Sequence, residues 1–74
     1  MFGDKLMPIV HVHVWEGFSE EKIKQVIEGI TKVFVGMGIP AQAVHIVIHE
    51  TPKTHWGIDG KPASESRKDT KPPK

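Results

Sequence analysis

Hydrophobic and polar residues alternate from Ile9 to Trp15. Val10, Val12 and Val14 share one parity, and Ile9, His11, His13 and Trp15 share the other. Successive side chains of a strand point to opposite faces, and β-branched residues suit its pleat, so this segment predicts a strand with an aliphatic face and an imidazole-rich face. Glu16-Gly17-Phe18 then turns the chain, and Ser19 stands where a helix N-cap belongs. Its hydroxyl can accept a bond from an unpaired first-turn amide, while Glu20 and Glu21 place negative charge where the helix dipole favours it. Lys22 takes the position that a full capping box gives to Glu or Gln. Beyond it, Ile23, Val26, Ile27, Ile30, Val33, Phe34 and Met37 recur at three- and four-residue spacing, the stripe of an amphipathic helix. Lys24, Glu28 and Lys32 lie off that stripe, Gly36 and Gly38 end the helix, and Pro40 opens a short turn.

A second alternating run covers Val44 to His49, with Val44, Ile46 and Ile48 on one face and His45, Val47 and His49 on the other. Two strands joined through a helix pair in parallel by a right-handed crossover. The helical stripe then covers the aliphatic faces of both strands. The other sheet face, with Ile9, Trp15, Val47 and four histidines, has no helix to cover it, and a second subunit is expected there. Further on, Asp59-Gly60 within the segment from Thr54 to Lys61 predicts a small hairpin. The expected fold class is α+β: a βαβ subunit with two parallel strands, one long amphipathic helix and a C-terminal β-hairpin. Residues 1–7 read as an N-terminal extension, 8–63 as the domain, and 64–74, which are polar throughout, as a mobile tail.

Composition sharpens the oligomer expectation. A chain of 74 residues buries too small a share of its surface to be comfortably stable alone, and with no cysteine it has no disulfide to help. Ten basic residues face nine acidic ones, and five of the ten fall in residues 61–74, so no concentrated basic face marks a nucleic-acid binder. The apolar runs are too short for a bilayer, and the first residues lack a secretory apolar stretch, so the expectation is a soluble, cytoplasmic protein without nucleic-acid or membrane partners.

Met7-Pro8-Ile9 leading a strand, Glu16-Gly17 before Ser19, and His55-Trp56-Gly57-Ile58-Asp59-Gly60 near the end occur in an order that resembles the 4-oxalocrotonate tautomerase family. The resemblance runs from about Pro8 to Ser64. It implies βαβ subunits paired into dimers and commonly built into hexamers. It further implies an isomerase without cofactor, in which Pro8 as an amino-terminal proline moves protons next to a carbonyl of a small enol or 2-oxo acid. The chemistry suits that residue. A free α-amino group titrates near ~7.7–8.0, and apolar surroundings, to which Trp56 would contribute a dry wall, disfavour its charged form. Inside a peptide bond the same nitrogen is delocalised and not basic. Translation beginning at Met7, followed by methionine removal, would free it.

Two positions break the family pattern. The resemblance places substrate-gripping arginines where this chain has Phe18 and His45, and its only arginine is Arg67. A bidentate guanidinium grip on a dicarboxylate is therefore not expected from those positions. His45 can still donate a hydrogen bond or carry charge, Phe18 would tighten an apolar pocket, and Trp56 takes the family's aromatic wall position. Two other readings stand beside the enzyme: an oligomer that keeps the fold without the chemistry, and a histidine metal site from His11, His13, His45 and His49.

Overall fold

The computed structural model describes residues 7–70; the first six residues of the expected extension and the last four of the expected tail lie outside the described residues. Strand β1 (Ile9–Trp15) leads through the Gly17 turn to helix α1 (Glu20–Gly36), and a 3-10 turn at Ala41–Ala43 leads to strand β2 (His45–Thr51). A second 3-10 turn (Lys53–His55) precedes a hairpin of β3 (Gly57–Ile58) and β4 (Lys61–Pro62), followed by the single-turn helix α2 (Ala63–Ser66). β1 and β2 are parallel, with Ile9 opposite His45, His11 opposite Val47, His13 opposite His49 and Trp15 opposite Thr51.

Local chemistry explains each boundary. The Ser19 hydroxyl accepts a bond from the Lys22 amide at 3.2 Å, which sets the start of α1. Met37 closes it: its amide and that of Gly38 reach back to Phe34 and Val35 carbonyls, with Gly38 at φ 96°. In the hairpin Asp59 (φ 54°) and Gly60 (φ 80°) are both left-handed, the backbone of a two-residue turn whose twist matches its strands. β2 begins one residue later than the alternation suggests and runs on through Glu50 and Thr51, because the Glu16 amide continues the ladder to the Thr51 carbonyl at 3.1 Å.

Packing departs from the expected stripe. Ile23, Val26, Ile30 and Phe34 are half-buried on the side toward the sheet, but Ile27, Val33 and Met37 are exposed, as is Val35. A two-stranded sheet is too narrow to cover so wide an apolar arc. Among the described residues only Ala43 and Ala63 are buried, so no large side chain has a dry environment. Full burial of one large aliphatic side chain is worth about 1.5–3 kcal/mol, and this fold collects only part of that at each position. The shape agrees: a radius of gyration of 15.5 Å and extents of 48 × 25 × 15 Å, where a compact domain of this length would have a radius near ~11 Å.

The boundary drawn after Ala63 falls inside α2. Ala63 is fully buried beneath the hairpin, its amide bonded to the Trp56 carbonyl at 2.7 Å, and the chain completes a helical turn before Arg67. Lys53 extends this order, its ammonium donating to the Arg67 carbonyl at 2.7 Å and to the Thr70 carbonyl. Polar composition alone did not reveal a segment held by a lysine from elsewhere in the chain.

Candidate active site

Pro8 lies at the head of β1, half-buried, and its carbonyl accepts the His45 amide at 3.0 Å. That bond joins the candidate base to the candidate donor through the backbone. His45 itself is exposed at the first position of β2. The Pro8 nitrogen is in peptide linkage to Met7, so in this form it carries no available lone pair.

Phe18 and Trp56 occupy the other end of the sheet. Phe18 follows β1 across Gly17, whose φ of 112° only glycine adopts without strain, and it is half-buried. Trp56 leaves the 3-10 turn and meets Trp15, the last residue of β1, edge to face at 5.7 Å between ring centroids. Lys53 lies over the Trp15 ring at 4.8 Å from its centroid, so the aromatic pair carries a cation on one side. The buried Trp15 Nε1 meets no acceptor among the described residues, at a cost of about 1–3 kcal/mol. At 3.3 Å per residue, the seven residues of β1 put about 20 Å between its ends. The four expected site residues therefore divide between the two ends of β1: Pro8 and His45 at its head, Phe18 and Trp56 beyond its far end.

Lys53 is the group that sequence reasoning passed over. Its signal was a cation three residues before Trp56 in a segment opened by Pro52, which sets the 3-10 turn that brings the ammonium back over β1.

The histidines divide in the same way. His13 and His49 stack at 4.4 Å between centroids with their planes 12° apart, and His11 stacks on His49 at 5.1 Å. His11 Nδ1 and His49 Nε2 face each other at 2.8 Å, within hydrogen-bond distance. Nitrogens turned on one another do not converge on an ion, and no group of three or more ligand-type residues among the described ones has metal-holding geometry. His45 sits apart at the head of β2. On the far side of the molecule, Ile27, Glu28, Thr31, Lys32, Val35 and Ala41 line an open groove on α1 that contains none of the candidate site residues.

A parallel βαβ unit led by a proline and closed by a tight hairpin defines a class, and comparison with known proteins bears this out. The family model described as tautomerase enzyme matches residues 8–66, and the chain belongs to that family. Its relatives include the 2-hydroxymuconate tautomerase of Comamonas testosteroni, 43% identical over 60 residues that cover 80% of this chain and 95% of the relative. Among solved structures it is similar to TomN, a 4-oxalocrotonate tautomerase homologue of the tomaymycin biosynthetic pathway, with a TM-score of 0.77, 29% identity, and coverage of 82% of this chain and 95% of that one. It is also similar to a heterohexamer 4-oxalocrotonate tautomerase from Chloroflexus aurantiacus J-10-fl, with a TM-score of 0.73, 25% identity, and coverage of 80% and 97%. No helix among the described residues is long and apolar enough to cross a membrane.

Proposed function

We propose that this chain is a keto–enol tautomerase that works as an oligomer, with Pro8, once freed as the first residue, as general base on a small enol or 2-oxo acid. The observation that carries this reading is the place of Pro8: it heads β1, is tied to β2 through the His45 amide, and is where the family match begins. As a free secondary amine it takes the enol hydroxyl proton and returns a proton to carbon as the carbonyl forms. His45 donates to the developing oxygen. A neighbouring copy supplies Trp56 and Phe18 as the apolar wall that keeps the amine uncharged, since one chain holds its own aromatic pair about 20 Å away.

With Phe18 and His45 in place of arginines, the favoured substrate carries a single carboxylate. Self-association is supported by exposed Ile27 and Val35, with half-buried Thr31 between them along the α1 groove, which Glu28 and Lys32 flank with opposite charges. An antiparallel second copy would set each Glu28 against the other's Lys32.

The test is an assay of the form beginning at Pro8 with phenylenolpyruvate as substrate. The expected result is turnover that Pro8→Ala lowers by roughly 10²–10⁴-fold, the usual contribution of a positioned base, with circular dichroism unchanged. Retention of Met7 in the protein isolated from its source, with no turnover by either form, would instead support a second reading, a non-catalytic oligomer of the same fold. The Met7–Pro8 peptide bond favours that alternative.

A further inference from the structure

Pro52 sets the 3-10 turn from which Lys53 reaches back over β1, and this half-buried side chain ends 4.8 Å from the centroid of the Trp15 ring. Trp56, three residues on, meets the same ring edge to face at 5.7 Å. We propose that the Lys53 ammonium anchors the substrate's carboxylate, taking over the grip that the family resemblance assigns to arginines at positions 18 and 45, so that the site takes acids with one carboxylate and an apolar body. The inference rests on the proposed function, in which the wall carrying Trp56 faces the candidate base of a neighbouring copy.

An ammonium carries three donors and no acceptor. Two of them go to the Arg67 and Thr70 carbonyls, which leaves one without an oxygen among the described residues. Both partners are neutral, so dipoles solvate the positive charge without cancelling it. Glu65 and Asp69, the carboxylates of the segment that Lys53 straps down, are exposed, and the ammonium bonds to backbone instead. The two carbonyls also hold the long side chain in place, so little of its freedom remains to be lost when a ligand arrives. On the ring beneath, the buried Trp15 Nε1 has no acceptor either. It is covered in this structure, and so marks a second shortage of oxygen at the same ring rather than an open contact.

An oxyanion answers that shortage, and the surroundings decide which. One open N–H on a single charge matches a monocarboxylate. A phosphate ester brings up to two charges and three strong acceptor oxygens, more than Lys53 alone can meet. Phe18, Trp15 and Trp56 are all half-buried at this end of the sheet and offer a surface to an apolar body. The guanidinium of Arg67 is exposed and donates to the Ser66 carbonyl at 3.2 Å. A second carboxylate would therefore lose its water against the rings without gaining a partner. Lysine grips as a point charge and not as a planar fork, which leaves the aromatic rings to orient the ligand.

Both tryptophans of the chain stand beside Lys53, so their emission reports ligand arrival. The test titrates the full chain with phenylacetate, which the proposed reaction does not turn over, and with its uncharged amide. Phenylacetate is expected to bind at least about ten-fold more tightly than the amide, the scale of one charged hydrogen bond. Lys53→Met should erase that preference by weakening the acid, with the amide changed less than about two-fold. Lys53→Arg and Arg67→Ala should both keep it. In the form beginning at Pro8, Lys53→Met should raise KM for phenylenolpyruvate about ten-fold and leave kcat within about two-fold, the mark of lost binding rather than lost chemistry. If the methionine variant does not fold, Lys53→Gln, which can still donate to a carbonyl, gives the same comparison. A wild type without preference for the acid, a preference that survives in Lys53→Met, or equal weakening of acid and amide overturns this inference alone. Acid binding that depends on Lys53, in a protein that does not turn over phenylenolpyruvate, upholds the anchor and removes the proposed reaction.

Discussion

At the scale of the residue, the proposed function makes substrate choice depend on His45. Its amide is fixed to the Pro8 carbonyl, so its side chain departs from a point held within one backbone bond of the candidate base. A guanidinium there would offer two parallel donors where an imidazole offers one. In the form beginning at Pro8, His45→Arg is expected to raise kcat/KM for a dicarboxylate enol relative to a monocarboxylate one by about ten-fold. That corresponds to the low end of the ~1.5–3 kcal/mol of a charged hydrogen bond. Competition kinetics with the two substrates reads this directly, and an unchanged ratio would remove His45 from the substrate's surroundings. Ser19 acts on stability instead. Removing its cap with Ser19→Ala should cost about 1 kcal/mol, visible as a lower thermal midpoint with turnover per folded molecule unchanged.

At the scale of the element, β1 was legible because Val10, Val12 and Val14 alternate with polar neighbours, and the hairpin because Asp59-Gly60 supplies two left-handed residues in a row. The end of β2 was not, since Glu50 and Thr51 join the strand through a ladder bond that no pattern of polarity records. The face of α1 was legible only in part. Periodicity gives the width of an apolar arc, not which portion a narrow sheet will cover, so Ile27, Val33 and Met37 read as core and stand exposed. The site was least legible of all. Phe18 and Trp56 were identified by position in a family pattern, whereas their distance from Pro8 is set by strand length, which motif spacing does not encode.

At the scale of the whole molecule, so little dry interior couples stability to neighbouring chains in the proposed oligomer. Stability gained by association grows with the logarithm of concentration. The thermal midpoint of this chain is therefore expected to rise when protein concentration is raised a hundred-fold, followed by calorimetry at a single pH. A midpoint independent of concentration would mean that the single chain is self-sufficient, and would count against the oligomer.

The division of the candidate machinery between the two ends of β1 has a genetic consequence. If each catalytic centre borrows its wall from a neighbour, damage to the base and damage to the wall belong to different complementation groups. Chains bearing Pro8→Ala and chains bearing Trp56→Ala, each silent by itself, should recover turnover when unfolded together and reassembled as mixed particles. Some centres in those particles draw an intact proline from one parent and an intact tryptophan from the other.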